Sequence, residues 1–551
     1  MTTLDVDLLL ERARSWAAQD PDAHTRTELE QIIADVADGA DPSDLADRFD
    51  GTLEFGTAGL RGALGAGPNR MNRAVVLRAA AGLATYLKLN GATRDNSVVI
   101  GYDARHNSDV FARDTAEVMT GAGLRAHVLP RPLPTPLLAF AIRELGCVAG
   151  IMVTASHNPP EDNGYKVYLG DGSQIVSPAD AEIAEQIAAI GQLADIPRGT
   201  SGELLDEHLI DRYLDTVADL AVDGPRDLDI VYTPLHGVGG SSVVQVLETA
   251  GFEAPRVVSQ QEQPDPDFPT VAFPNPEEPG AMDLAMALAA EVGADIVVAN
   301  DPDADRCAAA VPGPHGWQML RGDEVGALLA QHLLARGKQG TYATSIVSSS
   351  LLGTMAAAAG QPYAETLTGF KWIGRVPDLA FGYEEALGYC VDPEHVRDKD
   401  GVSALLLLCE IAAEAKAAGR SLHDLLDDIA GEHGLHATDQ LSVRVSDLGE
   451  IANAMARLRS TPPTTLGGLA VEQVDDLALG SADLLPTEGL RYRLAEGARV
   501  IVRPSGTEPK LKCYLEVVIG VNPEDGVEAA RIAAVGRLDA LRADIKSAAG
   551  I

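Results

Sequence analysis

Apolar residues recur along the chain in two rhythms. Over the first stretch, to about Arg48, Leu8, Leu9, Ala13 and Trp16 fall on one stripe at helical spacing, which predicts an amphipathic helical extension. Beyond it, short apolar runs alternate with alanine- and leucine-rich stretches. The runs Ser97-Val98-Val99-Ile100, Gly150-Ile151-Met152-Val153, Asp229-Ile230-Val231-Tyr232, Asp295-Ile296-Val297-Val298 and Thr344-Ser345-Ile346-Val347 predict buried strands. Strand and helix in alternation indicate an α/β chain with mainly parallel sheets.

Composition shifts near Ala221–Pro225, Pro312–Arg321 and Gly431–Thr438 divide the chain into four segments, 1–222, 223–322, 323–438 and 439–551. The last mixes strands and helices less regularly and reads as α+β. No short-period repeat is visible, although three successive α/β segments of similar size are compatible with a distant internal duplication.

With 551 residues and 46% hydrophobic content the chain can bury several cores. Lys+Arg 43 against Asp+Glu 81 leaves a net charge of −38, which disfavours nucleic acid and anionic membrane surfaces as partners. A small anionic substrate needs only a local cation cluster and stays open. Five dispersed cysteines without a CxxC pair suggest reduced thiols. The charged opening, Met1 to Asp22, lacks the apolar core of a signal peptide, so a cytoplasmic location is expected.

Four loops carry candidate chemistry. Thr154-Ala155-Ser156-His157-Asn158-Pro159 follows a predicted strand, and Pro159-Pro160 and Asn163-Gly164 then force turns, so Ser156 sits at a strand end. Lys166 follows closely enough to fold back as an acid or base. Asp301-Pro302-Asp303-Ala304-Asp305-Arg306 sets three carboxylates two residues apart after a strand, a hard-oxygen set suited to Mg²⁺. An EF-hand reading fails, because Arg306 stands where glycine is needed and Pro312 where glutamate is needed, while a solvated acidic turn stays open as the alternative. Gly382-Tyr383-Glu384-Glu385-Ala386-Leu387-Gly388 offers paired carboxylates for sugar hydroxyls or simply an exposed loop, with Lys371 and Lys399 nearby in sequence. Arg503-Pro504-Ser505-Gly506-Thr507-Glu508-Pro509-Lys510 combines cations, hydroxyls and a glycine, as a phosphate cradle would. Phe55-Gly56-Thr57-Ala58-Gly59-Leu60-Arg61-Gly62 adds a glycine-rich loop with one arginine, and Gly101-Tyr102-Asp103-Ala104-Arg105 ends a strand. His236-Gly237-Val238-Gly239-Gly240 hints at a dinucleotide fingerprint but has Ser242 in place of its third glycine.

Taken in order, these loops resemble the α-D-phosphohexomutase superfamily of phosphoglucomutases and phosphomannomutases, over nearly the whole chain. The spellings Thr368-Gly369-Phe370-Lys371-Trp372-Ile373-Gly374, Glu384-Glu385-Ala386-Leu387-Gly388-Tyr389 and Asp398-Lys399-Asp400-Gly401-Val402 are most similar to the branch that includes phosphopentomutases. The resemblance implies three related α/β domains with mixed or parallel sheets and a C-terminal α+β domain around a central cleft. It implies a phosphoryl group on Ser156, with Lys166, Arg61 and His157 as catalytic neighbours. One Mg²⁺ would be held by Ser156, Asp301, Asp303 and Asp305, and a sugar bisphosphate would act as activator. Arg306, Lys371, Glu384, Glu385, Lys399, Arg503, Ser505, Gly506 and Thr507 would bind a small sugar phosphate, in a monomer or dimer. The reaction so implied moves phosphate between C1 and C6 of glucose or mannose.

Ala386 departs from the serine of many hexose-specific relatives, which keeps transfer between C1 and C5 of ribose or deoxyribose as the alternative. A metal-dependent serine phosphatase is a remoter reading, distinguished by release of inorganic phosphate. An oxidoreductase built on Gly237-Val238-Gly239 and a catalytically silent binding protein complete the rivals.

Overall fold

The computed structural model describes residues 3–445, 448–481, 484–505 and 510–550. The chain divides into two compact units, Met1–Met319 with Gly388–Glu410, and Leu320–Leu387 with Ile411–Ile551.

The first unit opens with helices Thr3–Ala17, Ala23–Ala37 and Ser43–Arg48. Asp22 caps the second by accepting from the His24 N–H. Their shared core takes Leu9, Leu10, Ala13, Ala17, Leu29 and Ile33, with Trp16 only partly covered. Leu8, expected on the buried stripe, is 59% exposed: the buried face runs one residue further round, through Leu10 and Ala17.

Two sheets follow. In the first, Leu60–Ala63, Asp162–Leu169, Ala149–Val153, Ser97–Tyr102, Arg125–Val128 and Glu203–Leu204 lie side by side in that order. Ser97–Tyr102 pairs parallel with both neighbours, whereas Ala149–Val153 turns back antiparallel on Asp162–Leu169. Every residue of Ala149–Val153 is buried, as a strand covered on both faces by helices requires. The second sheet repeats the device. Ile230–Thr233 and Ile296–Ala299 run parallel, and Ile296–Ala299 then pairs antiparallel with Ala308–Gly313. In each sheet one hairpin loop therefore leaves the point where parallel pairing ends: residues 154–161 in the first and 300–307 in the second.

The composition shift at Pro312–Arg321 begins inside a hairpin. Pro312 pairs opposite Trp317 in the hairpin Ala308–Gly313/Gly316–Met319, beyond residues 308–310, which pair with Ile296–Ala299, so its missing N–H breaks no bond to that strand.

The second unit contains a parallel set, Tyr363–Thr366, Thr341–Ser345 and Leu379–Glu384. The predicted strand there stops at Ser345, and Ile346 and Val347 leave it. The unit's other sheet has six strands, ordered Leu435–Arg444, Lys510–Ile519, Arg499–Pro504, Leu490–Leu494, Leu469–Asp476 and Thr465–Leu466, with antiparallel neighbours. Helices Leu448–Ser460 and Gly526–Ala549 supply Met455, Leu458, Leu538 and Leu541 to its core, an α+β arrangement. The expected start of this segment at 439 falls inside the strand Leu435–Arg444. Among the described residues no helix is long and apolar enough to cross a membrane.

Candidate active site

Ser156 lies in the first hairpin loop, buried, with φ +53°. A left-handed backbone at a non-glycine residue costs free energy and must be held by its surroundings. Two sets of contacts hold it. The Ser156 N–H donates to Thr154 Oγ1 at 2.9 Å, a local side-chain turn. Arg105 Nη2 donates to the Ser156 carbonyl at 2.7 Å. The Ser156 hydroxyl sits 2.9 Å from Asp301 Oδ2 and 3.2 Å from His157 Nδ1. Burial, with Arg306 and Arg61 nearby, pushes the His157 imidazole well below its ordinary pKa, so it is neutral at pH 7. Arg61 Nη1 reaches Asn158 Oδ1 at 3.3 Å, on the same loop.

The second hairpin loop holds Asp301, Asp303 and Asp305, none with exposed surface. One carboxylate oxygen from each lies within 4.8 Å of the others. Lys166, on the strand Asp162–Leu169, donates to Asp303 Oδ2 at 2.7 Å and to Asp305 Oδ2 at 3.1 Å. Lys399 Nζ is 3.0 Å from the same Asp305 oxygen. Arg306 Nε stands 3.8 Å from Asp301 and 4.0 Å from Asp305.

Burial and the two neighbouring carboxylates raise the Asp301 pKa well above its usual range. Burial would also raise that of Asp303, but Lys166 outweighs it and holds Asp303 low. Asp305 is lowered likewise, with Lys399 assisting Lys166 against burial and Asp303. For Lys166, burial opposes the charge, yet Asp303 and Asp305 win and keep it above its ordinary value. Lys166 is therefore a cation, able to stabilise charge or give a proton but not to take one.

The lysines occupy the Oδ2 atoms of Asp303 and Asp305 and leave both Oδ1 atoms buried without a hydrogen-bond partner among the described residues, Asp305 Oδ1 having only Arg306 Nε at 4.0 Å. Orphaned buried carboxylate oxygens are costly unless a cation meets them. Two such oxygens, a third carboxylate and a serine hydroxyl within reach fit a hard divalent cation. The glycine loop after Ile230–Thr233 supports this arrangement. Val238 N–H donates to the Pro302 carbonyl at 2.8 Å, and a Cβ on Gly237 would meet Pro302 Cα at 2.4 Å. These glycines thus permit close packing against the aspartate loop, which replaces the dinucleotide reading.

Sequence reasoning missed the residues that hold this cluster from outside. Thr135 Oγ1 donates to Asp303 Oδ2 at 2.7 Å. Tyr168 donates to Asp398 Oδ2 at 2.7 Å and Gln174 to the same atom at 2.8 Å. Asp398 Oδ1 in turn lies 3.7 Å from Lys399 Nζ. The period-two spacing of Lys166 and Tyr168 was the one available signal, on a stretch where a turn was expected at Asn163-Gly164 and the structure instead has the strand Asp162–Leu169.

The remaining candidates belong to the second unit. Glu384 Oε1 accepts from the Gly369 N–H at 2.6 Å. Glu385 Oε2 turns onto the hydroxyls of Ser348, at 2.8 Å, and Ser345, at 3.2 Å. Burial and the charge of Glu384 push Glu385 up to about 7. The adjacent carboxylates are thus engaged differently, Glu385 by its own serine-rich loop. Lys371 lies in the short helix Phe370–Ile373. Arg503 hydrogen-bonds Thr368 Oγ1, and so meets the Thr368-Gly369 turn that Glu384 also holds. Ser505 N–H donates to the Lys510 carbonyl at 2.8 Å, closing the loop's base. Gly506 and Thr507 lie outside the described residues.

A buried serine beside a tri-aspartate loop and two lysines is suited to phosphoryl chemistry, and similarity to known proteins supports that reading. Residues 52–194, 211–314 and 321–432 match the phosphoglucomutase/phosphomannomutase alpha/beta/alpha domains I, II and III, and residues 442–532 match the C-terminal domain. A Haemophilus influenzae protein named a probable phosphomannomutase is 50% identical, over 83% of this chain and 94% of its own. A Schizosaccharomyces pombe protein named a probable phosphoribomutase is 36% identical, over 92% of this chain and 93% of its own. The solved structure of a Thermus thermophilus protein, provisionally assigned as a phosphomannomutase, matches with a TM-score of 0.71 at 27% identity, over 90% of this chain and 98% of that one. With all four domains matched in order, the chain belongs to the phosphoglucomutase/phosphomannomutase family.

Proposed function

We propose that this chain is a hexose-phosphate mutase, an isomerase that moves a phosphoryl group between C1 and C6 of glucose or mannose phosphates. The observation that carries the reading is the 2.9 Å contact between the Ser156 hydroxyl and Asp301, inside a cluster fit for a dication. Ser156 carries the phosphoryl group. A sugar hydroxyl attacks its phosphorus and gives up its proton, the bond from phosphorus to Ser156 Oγ breaks as the sugar O–P bond forms, and the serine oxygen takes up a proton. The resulting bisphosphate, turned end for end, returns its other phosphoryl group to Ser156.

Mg²⁺ held by Asp301, Asp303, Asp305 and the serine-borne group would neutralise charge on the moving phosphoryl. Lys166 and Arg61 offset further charge, and neutral His157 offers Nδ1 to a proton at the serine oxygen. Arg306 and Lys399 would contact the sugar phosphate beside the aspartates. Glu384, with Glu385 behind it and Lys371 nearby, would bind sugar hydroxyls. Arg503, Ser505, Gly506 and Thr507 would grip the phosphate that does not react. A trace of hexose bisphosphate would load Ser156, and the five buried thiols fit a cytoplasmic enzyme.

Ala386 favours a second reading, a C1–C5 mutase of ribose or deoxyribose phosphates, as does the likeness to the fission-yeast protein named for ribose. A missing hydroxyl removes one hydrogen bond, worth about 0.5–1.5 kcal/mol, which blurs hexose preference without abolishing it. The test compares kcat/KM for glucose-, mannose- and ribose-1-phosphates under matched bisphosphate priming. Hexose turnover at least equal to that of ribose is expected. A pentose advantage above about a hundredfold, roughly 2.7 kcal/mol of transition-state discrimination, would overturn the hexose assignment.

A further inference from the structure

Arg105 is 4% exposed and lies at the start of the loop after Ser97–Tyr102, next to the hairpin that carries Ser156. Its guanidinium collects carbonyls from that loop and from the first residue of the strand that follows it. Nη2 donates to Ser156 O at 2.7 Å and also to Asn158 O, while Nη1 donates to Pro159 O at 2.8 Å and Asp162 O at 3.1 Å. Nε lies 3.4 Å from Asp103 Oδ2, and Asp103 is itself fixed by Ser108 Oγ at 2.7 Å. The Phe268 ring covers one face of the guanidinium, 4.9 Å from its carbon.

The loop has a physical need for such a donor set. Pro159 and Pro160 bring no N–H, and the turn directs several carbonyls inward, where each must find a partner. Only a planar fork with five donors can meet four acceptors from one point. A lysine, with a single nitrogen, would leave some unpaired.

We propose that Arg105 is a positioning residue that sets the Ser156 backbone, and through it the direction of the phosphoryl-carrying oxygen, with Phe268 fixing the guanidinium. The inference rests on the reading that Ser156 carries the phosphoryl group. Arg105 touches the loop backbone rather than the reacting atoms, so its loss falls on turnover more than on substrate affinity.

The test uses the full-length enzyme with Arg105→Lys, Arg105→Ala and Phe268→Leu. Each is followed by kcat and KM on glucose-1-phosphate, by thermal unfolding, and by amide hydrogen exchange of residues 154–164. For Arg105→Lys, losing charge-assisted bonds predicts a kcat drop of about tenfold to a hundredfold with KM within about threefold, and exchange of the segment faster by about tenfold. Millimolar guanidinium is expected to restore part of the lost kcat in Arg105→Ala. Phe268→Leu leaves every hydrogen bond in place and is expected to speed exchange of the same segment. Unchanged exchange of residues 154–164 in Arg105→Lys, or in Phe268→Leu where the lysine variant does not fold, would overturn the proposal. So would altered exchange with unchanged kcat. If the wild-type enzyme interconverts no sugar phosphate, the mutase reading falls, while the exchange measurement still decides whether Arg105 sets the loop.

Discussion

Lys166 and Tyr168 leave the same face of the strand Asp162–Leu169, and each fixes a different acidic loop. Lys166 holds Asp303 at 2.7 Å, and Tyr168 holds Asp398 at 2.7 Å, beside the Lys399 that reaches Asp305. One strand thereby sets the spacing between two lysines around a single carboxylate.

Removing the Tyr168 hydroxyl should therefore reach Asp305 through Asp398 and Lys399. In Tyr168→Phe, Gln174 still donates to Asp398, so the loss is partial. A hydrogen bond to a charged group is worth about 1.5–3 kcal/mol, and retention of roughly half of that predicts a fall in kcat/KM of about threefold to tenfold. Steady-state kinetics of the variant with the fold intact checks it. An unchanged kcat/KM would show that Lys399 does not depend on Asp398.

Cation binding should be visible without turnover. Three buried carboxylates whose Oδ1 atoms at Asp303 and Asp305 lack hydrogen-bond partners among the described residues gain from a divalent ion. Adding Mg²⁺ at about a hundred times its Kd should stabilise the wild-type protein by about 2.7 kcal/mol in thermal unfolding. The triple variant Asp301→Asn, Asp303→Asn, Asp305→Asn should show no such rise, and chelation should remove wild-type turnover. Equal stabilisation of both proteins would place the cation elsewhere.

Asp400 makes stability depend on pH in a defined direction. It is buried, and burial pushes its pKa up to about 6 despite hydrogen bonds from Ser403, Tyr213 and Val402. Below about pH 4 the carboxyl is protonated in both folded and unfolded chains. Between pH 4 and 6 the unfolded chain gives up this proton while the folded chain keeps it, so stability falls as pH rises, by about 3 kcal/mol in all. Asp400→Asn lacks this term. Its stability relative to wild type should improve by about that amount between pH 4 and pH 8, read from denaturant midpoints. A gap independent of pH would mean that the Asp400 carboxyl titrates alike in both states.

The parts of the fold and site that could be read from the chain are those whose information is local. The loop around Ser156 and the loop from Asp301 to Asp305 are contiguous strings after apolar runs, and both proved to be hairpins at the edge of parallel pairing. What holds them is not local. The Tyr168–Asp398 bond joins positions 230 residues apart, and Thr135 meets Asp303 across 168. Such pairs depend on sheet order and hairpin geometry, for which periodicity carries no signal. Arg105 is visible as the end of a strand, but its partners are backbone carbonyls, which every residue has. Leu8 falls outside the core because Leu8, Leu9 and Leu10 are consecutive, and hydropathy alone does not choose which two of three face inward.

The central claim is that Ser156 carries the phosphoryl group, and its most direct test follows that group. Wild-type enzyme incubated with glucose 1,6-bisphosphate labelled with ³²P at its phosphates, then freed of ligand and digested, should carry the label on one peptide, at Ser156. Unlabelled glucose-1-phosphate should then discharge that label into sugar phosphate, and Ser156→Ala should neither take up label nor interconvert the hexose phosphates. Label on another residue, or near-normal turnover by Ser156→Ala, would contradict the account.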